Sequence, residues 1–157
     1  MPSNLERAAI MSYLHCLSLV ENTMGDQVTG ADTLTVAGRT IFGTKFVGVH
    51  ARDKFPFPSL KPGDMGIINN QASNQGGEHW IGIARGVQEP SRVFVYDSFG
   101  RDNIIKPRQV KQLPKGAQLE HTSTTAEQED NEDNCGQRCL AWLMIYQQCG
   151  ERIANLI

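Results

Sequence analysis

The chain has 157 residues, a length that fits one domain able to bury about two thirds of its unfolded surface. Apolar residues make up 39% and charged residues 20%, which excludes wholesale disorder and a fibrous repeat. The formal net charge of -2 lacks the basic excess of a dedicated nucleic-acid binder. The basic residues within 106–115 indicate a solvated surface, and DNA stays a minority alternative as a partner.

Cysteine usage and the N-terminal segment bear on the compartment. Four cysteines are too few and too unevenly spaced for a disulfide scaffold, which favours a reducing compartment. Residues 4–20 include Glu6, Arg7 and His15 and have no clean apolar core, so neither a signal peptide nor a membrane span is expected. We predict a soluble protein made in the cytosol of its host cell.

The first 60 residues predict helix, then strand, then loop. Ser3 can cap a helix that runs to about Val20. Its predicted apolar stripe is Leu5, Ala9, Tyr13, Cys16 and Val20. Residues 25–31 are typical of a linker, and 33–41 is ambiguous between helix and strand. A strand is predicted over 44–49, and a loop over 55–58 because two prolines there lack a donor.

Three apolar, β-branched or aromatic runs follow, at 65–69, 79–84 and 92–97, and predict a small mixed or antiparallel sheet. A short helix is predicted over 103–112 and another strand over 118–124. A helix of about four turns begins at Cys135, is apolar enough to lie in the core, and ends at Gly150. The predicted fold class is α+β.

Three residue types needed for thiol chemistry occur at element ends. A thiolate nucleophile needs a base and a group that fixes the base's tautomer. His79 begins one predicted strand and Asp97 ends the next, so an antiparallel pair places them side by side. Cys135 begins a helix, where free N–H groups and the dipole favour a thiolate. Gly136 leaves room for a substrate backbone.

Gln128 completes this set of roles. It lies seven positions before Cys135, so its amide could join the Cys135 N–H in stabilising an oxyanion. A His, an Asp and a Cys occur in most chains, so their spacing alone is a weak signal.

The residue identities within the motifs are a more specific signal than the spacing of His, Asp and Cys. The sequence contains three such motifs: Gly77-Glu78-His79-Trp80, the run 94–100 around Asp97, and Gln128 followed after six residues by Cys135-Gly136. Together they resemble the adenovirus maturation protease family within the ubiquitin-like-protein protease superfamily. The order His, Asp, Gln, Cys and the six-residue gap are similar to the adenoviral branch, as is the segment 45–56. The resemblance covers about residues 33–148.

The resemblance implies a papain-like fold in circularly permuted order, with a small central mixed sheet and the nucleophile at the start of a buried helix. It implies one protease domain over 1–157, with the core at 33–148 and an extra N-terminal helix and linker at 1–25. The implied catalytic residues are His79 as base, Asp97 as its orienter, Gln128 as oxyanion donor and Cys135 as nucleophile. Trp80, Glu78 and Gly136 are the implied substrate-binding residues.

The implied function is a virion-maturation endopeptidase of a double-stranded DNA virus, virophage or related mobile element. Its substrates would be capsid or core precursor proteins with Gly-containing cleavage sites. It would act in the virion, the host-cell cytoplasm or the virus factory. No metal and no other cofactor is expected.

Some positions depart from the adenoviral pattern. Alignment back from Gln128 puts Ala117 where a cysteine tethers an activating peptide, so no disulfide-tethered peptide cofactor is expected. The helix at 4–20 has no adenoviral counterpart, and one hypothesis is that it covers that peptide's surface in cis. The acidic residues within 127–133 are interpreted first as a solvated face, and secondly as a site for basic substrate residues.

Other functions stay open. One alternative is a deconjugase for ubiquitin-like modifiers, and another is a catalytically silent, capsid-associated binding module. We interpret Cys139, one turn after Cys135, as a small buried hydrophobe rather than a redox-active residue or a metal ligand. Cys16 and Cys149 are interpreted in the same way. A zinc site including His121 is disfavoured because neither C-x2-C nor a paired His motif is present.

Overall fold

The computed structural model describes residues 2–70, 79–101, 104–105, 112–122, 128–129 and 132–157. Its helices are α1 (Asn4–Met24), α2 (Ala31–Phe42), α3 (Cys135–Cys149) and α4 (Glu151–Ala154). Its strands are β1 (Phe46–His50), β2 (Met65–Asn69), β3 (Trp80–Arg85), β4 (Arg92–Tyr96) and β5 (Gln118–His121). The predicted α+β class is confirmed.

The five strands form one mixed sheet in sequential order, as the three central runs predicted. The middle strands β2, β3 and β4 are antiparallel, whereas β1 pairs with β2 and β4 pairs with β5 in parallel. Parallel neighbours need a crossover between them. The crossover from β1 to β2 contains the predicted proline loop, which includes a 3-10 turn at Phe57–Ser59.

Both faces of the sheet are buried. In β4, Phe94 and Tyr96 join the cluster that also contains the helices, and Val93 and Val95 join a second cluster on the other face. Loop residues such as Phe57, rather than helices, supply the covering apolar side chains of that second cluster. Residues on the central strands therefore have little freedom to move.

Helix α3 is the most deeply buried helix of the described chain. Eleven of its fifteen residues are buried, which confirms the predicted core helix. The Trp142 ring stacks on Tyr96 with centroids 5.4 Å apart, and its Nε1 donates to the Ala154 carbonyl at 3.0 Å. This packing holds the first turn of α3, with Cys135, beside Trp80 at the start of β3.

Helix α1 packs against α3 and begins at a capping box. The Ser3 hydroxyl accepts from the Glu6 N–H at 3.1 Å, and the Glu6 carboxylate accepts from the Ser3 N–H at 2.7 Å. Ala9, Tyr13, Cys16 and Val20 are buried as predicted, but Leu5 is exposed, so the predicted stripe is wrong there. The helix ends four residues later than predicted. None of the helices in the described ranges has the length and apolar character needed to cross a membrane.

The ambiguous segment at 33–41 is helical. Its buried residues Leu34, Gly38 and Phe42 repeat every four positions, which is a helical period. Gly38 is required by packing, since a Cβ there would lie 2.4 Å from the Phe46 ring. Most of the predicted helix at 103–112 and the end of the predicted strand at 118–124 lie outside the described residues.

A buried carboxylate joins the C-terminal helix to the turn between β3 and β4. Glu151 accepts three backbone N–H groups, from Val87 at 2.7 Å, Gln88 at 2.9 Å and Glu89 at 3.1 Å. Gly86 lies beside this contact, where a Cβ would be 2.4 Å from the Glu89 carbonyl oxygen. The turn therefore depends on a side chain more than 60 positions away.

We expect Glu151→Ala to lower the free energy of unfolding by about 2 kcal/mol, because partly buried N–H groups lose their acceptor. Glu151→Gln keeps one acceptor oxygen and should lose less. Urea unfolding measures both variants, and Glu129→Ala, at an exposed position, is the matched control. An unfolding free energy of Glu151→Ala equal to that of the control would contradict this role.

Candidate active site

His79 and Asp97 meet at one end of the sheet. His79 lies just before β3 and Asp97 just after β4, and the antiparallel register that pairs Gly82 with Tyr96 brings them together. The His79 Nε2 is 2.6 Å from Asp97 Oδ1, and both side chains are buried. An ionised carboxylate can only accept, so Nε2 is the donor. Nδ1 is then the ring nitrogen left for the thiol.

The Cys135 thiol completes the triad from the first turn of α3. Its Sγ accepts from the Trp80 N–H at 3.5 Å, and it lines the same cavity as His79. The residue is only 8% exposed. Three elements, β3, β4 and α3, thus each supply one member of a Cys–His–Asp arrangement.

The surroundings of Cys135 favour its thiolate. Burial raises the thiol pKa, but the hydrogen bond from His79, the Trp80 N–H and the charge on His79 outweigh it, so the pKa is below its usual range. In contrast, burial raises the pKa of Cys16, and raises that of Cys139 far more. Within the described residues the four cysteines form no disulfide, and Cys149 is exposed, so its predicted burial is wrong.

The His79 ring is correspondingly stabilised as an imidazolium. Burial lowers its pKa, but hydrogen bonds to Asp97 and Cys135 and the negative charges of both raise it more, and the pKa lies above 6.5. The raised pKa of the base and the lowered pKa of the thiol describe one coupled pair. The site is therefore arranged to hold a thiolate beside an imidazolium.

Arg101 and Phe99 support the orienting carboxylate, and sequence reasoning missed both. Burial raises the Asp97 pKa, but hydrogen bonds from His79, the Arg101 guanidinium at 2.7 Å and the Phe99 N–H at 3.0 Å lower it to about 2. The Phe99 ring lies 4.7 Å from the His79 ring, between centroids. An arginine four residues after a strand-ending aspartate was the available sequence signal. The Phe99 N–H bond also gives Asp97 the turn-capping role that is common for aspartate.

Gln128 lies in the same cavity as Cys135. Its Oε1 accepts from the Ser98 hydroxyl at 2.5 Å, and its Nε2 donates to the Glu132 carbonyl at 2.6 Å. The amide nitrogen carries two hydrogens, so one is left after the bond to Glu132. The structure brings Gln128 to the nucleophile, and its oxyanion role stays a prediction.

A cavity of about 330 Å³ adjoins the triad, and residues 28–30 form part of its wall. The segment predicted as a linker is held there by bonds to its carbonyl oxygens. Trp80 Nε1 donates to Thr29 at 2.9 Å, and Gln137 Nε2 donates to Gly25 at 2.9 Å and to Gln27 at 2.8 Å. Sequence reasoning missed this wall because these bonds join positions 51 to 112 residues apart.

The predicted substrate-binding residues have different outcomes. Trp80 lines the cavity. A Cβ on Gly136 would lie 3.0 Å from Leu34 and 3.3 Å from Trp80, so packing within the protein explains this glycine, and its substrate contact stays a prediction. Glu78 lies outside the described residues.

The acidic segment borders the cavity. Glu132 and Asp133 both line it, so this part of the segment does not point away from the nucleophile. Asp133 is exposed, whereas Glu132 is partly buried and pairs with Arg138 at 3.4 Å. Glu127 and Asp130 lie outside the described residues. The interpretation of this segment as a simple hydrated face is therefore incomplete.

No protein-family model matches the chain, and no curated protein sequence is significantly similar to it.

We expect iodoacetamide to alkylate Cys135 before the other three cysteines, at a pH below the usual thiol pKa of about 8.5. His79→Ala should abolish this advantage because it removes the bond and the charge that lower the pKa. Mass spectrometry of each cysteine across a pH series measures the rates, with His15→Ala on the exposed face of α1 as the control. Equal rates for all four thiols in the wild type and in His79→Ala would refute the coupled pair.

The Asp97 carboxylate should make folding pH-dependent in acid. Its pKa is about 2 in the folded chain against an ordinary 3.8, so ionised Asp97 stabilises the fold by about 2 kcal/mol above that ordinary value. This contribution is lost as the pH falls through the folded pKa of about 2. Denaturant unfolding at several acidic pH values should show a shallower loss of stability for Asp97→Asn than for wild type. Exposed Asp26→Asn should keep the wild-type slope, and equal slopes for all three proteins would disprove the prediction.

Proposed function

We propose that this chain is a cysteine endopeptidase with Cys135 as nucleophile, His79 as base and Asp97 as the orienter of the base. The observation that carries the proposal is the arrangement of His79, which is hydrogen-bonded to Asp97 at 2.6 Å and lines the same cavity as Cys135, whose pKa it lowers. In addition, the environment of Cys135 lowers its pKa, whereas burial raises the pKa values of Cys16 and Cys139.

The geometry supports acyl transfer in two half-reactions, the formation and the hydrolysis of an acyl-enzyme. The Cys135 thiolate attacks the scissile carbonyl carbon, a C–S bond forms, and the carbonyl oxygen becomes an oxyanion. In the proposed mechanism the Cys135 N–H and the Gln128 amide donate hydrogen bonds to that oxyanion. The His79 imidazolium then gives its proton to the leaving amine as the C–N bond breaks. Water attacks the acyl-enzyme, His79 takes its proton, and the thiolate departs from the acid product.

We further propose a papain-like architecture in permuted chain order. The nucleophile begins a buried helix, and the base and its carboxylate come from the ends of neighbouring strands. The motif resemblance described above, in the order His79, Asp97, Gln128, Cys135, supports the adenoviral branch. The mixed sheet and the helix α3 are compatible with this arrangement, and they are also compatible with other α+β folds.

The proposed substrates are capsid or core precursors of a DNA virus, virophage or related element, cleaved at Gly-containing sites. A cavity of about 330 Å³ lies at the small end of ligand sites, which run from about 300 to about 1,000 Å³, and favours small residues beside the cleaved bond. Maturation in the virion, the host cytoplasm or the virus factory belongs to the same proposal. The net charge of -2 does not indicate DNA as a partner.

We expect the wild-type protein to cleave a fluorogenic Gly-Gly coumarin peptide, and Cys135→Ala to show no turnover. His79→Ala should lose a factor of about 10³ or more, because the thiol then lacks its base. Asp97→Asn should lose less, since the carboxylate orients the base without taking its proton. Cys139→Ala is the matched control, because it removes a buried thiol one turn away in the same helix.

A second substrate separates the alternatives. Turnover of a ubiquitin-like modifier carrying a C-terminal coumarin, without turnover of the peptide or of capsid precursors, would favour a deconjugase. No turnover of any substrate, with unselective alkylation of the cysteines, would refute the proposal and favour a binding module.

A further inference from the structure

Arg138 is a buried cation on the helix that carries the nucleophile. It lies one turn after Cys135 and is 6% exposed. Its Nε donates to the Asn134 side-chain oxygen at 3.1 Å, its Nη1 to the Tyr13 hydroxyl at 3.2 Å, and its Nη2 to the Glu132 carboxylate at 3.4 Å. A buried guanidinium costs several kcal/mol unless it is well paired. Its ionic partner Glu132 is partly exposed and lies 3.4 Å away, so most of its bonds are to the neutral groups of Asn134 and Tyr13.

The partners of Arg138 lead to the oxyanion side of the site. Asn134 immediately precedes the nucleophile. The carbonyl of Glu132 accepts from Gln128 Nε2 at 2.6 Å, and Gln128 Oε1 accepts from the Ser98 hydroxyl at 2.5 Å. Thus one guanidinium holds the chain before Cys135, and that chain holds the amide of Gln128.

Tyr13 connects the same network to β4. Its side chain is fully buried, and its hydroxyl lies 2.7 Å from the Tyr96 hydroxyl while accepting from Arg138. Tyr96 immediately precedes Asp97 in the chain. A tyrosine of α1 is therefore bonded both to the strand of the orienting carboxylate and to the helix of the nucleophile.

We infer that Arg138 and Tyr13 are positioning residues for the oxyanion hole, which fix the Gln128 amide relative to the Cys135 N–H. Neither residue is among those that line the cavity, so Arg138 acts through residues 132–134 and Tyr13 acts through Arg138 and Tyr96. The inference rests on the proposed function for its catalytic meaning. It predicts that this network governs turnover but not the formation of the thiolate.

The variants remove the network in graded steps. Tyr13→Phe removes only a hydroxyl, and Arg138→Met keeps an unbranched side chain without donors. Arg138→Lys keeps the charge but not the planar fork of donors. Tyr146→Phe is the matched control, because it also removes a buried hydroxyl, one bonded to the Arg85 carbonyl and not to this network.

Kinetics with the Gly-Gly coumarin peptide test the catalytic part. Removal of one oxyanion donor costs about 10²- to 10³-fold in kcat. We expect a loss of that order in Arg138→Met, a smaller loss in Tyr13→Phe, partial rescue in Arg138→Lys, and little change in KM. The pH profile of Cys135 alkylation by iodoacetamide should not move, because the displacement of iodide by the thiolate forms no oxyanion. Parallel losses in turnover and alkylation, or no loss of turnover beyond Tyr146→Phe, would overturn the catalytic role.

Hydrogen exchange tests the positioning without any substrate. The N–H groups of Gln128 and Glu132 are bonded to the Ser98 and Glu129 carbonyls at 3.0 Å each, and should be protected. We expect their exchange to accelerate in Tyr13→Phe and Arg138→Met, while amides of α3 after Cys139 exchange at the wild-type rate. Unchanged exchange at Gln128 and Glu132 in both variants would overturn the inference. Accelerated exchange in a protein that cleaves no substrate would uphold the positioning and instead defeat the proposed function.

Discussion

Burial of helix α3 between α1 and the sheet is the constraint on which the site depends. The stacking of Trp142 on Tyr96 fixes the helix relative to β4, and the Trp142 bond to the Ala154 carbonyl fixes the middle of the helix to α4. With the helix held along its length, its first turn has one place to lie, beside Trp80. Cys135, the proposed nucleophile, is therefore located by packing of the helix, and hydrogen bonds at the candidate site only refine its position.

The site is made of polar groups that a fold of this size buries at a cost. His79, Asp97, Gln128, Asn134 and Arg138 are all nearly inaccessible to solvent. Each of them is hydrogen-bonded to neighbouring protein groups, and these bonds offset the desolvation cost. Such a network is cooperative, since loss of one member leaves others buried without partners.

Local sequence patterns predicted what local rules control. The core helix at Cys135 followed from its apolar residues, and the central strands followed from β-branched runs between turn residues. The helical state of 33–41 could not be chosen, because its decisive contact, Gly38 under the Phe46 ring, is tertiary. The residue types of His79, Asp97 and Cys135 were predictable because each stands in a local sequence motif. The contacts of Arg101 and Phe99 with the site, and the bond between Tyr13 and Arg138, were not predictable because they form only in the folded chain.

The segment 25–30, of which residues 28–30 form part of the cavity wall, is attached to the protein through its backbone. Trp80 and Gln137 hold it through carbonyl oxygens, which every residue type possesses, while the side chain of Val28 remains 75% exposed. At position 28 the identity of the side chain is consequently uncoupled from the placement of the segment, whereas Gly25 has a φ of 81° and Thr29 is buried. A substitution of Val28 changes the lining of the cleft and leaves the bonds from Trp80 and Gln137 intact. Under the proposed function, substrate selectivity in related chains would change at position 28 while the two anchors stay fixed.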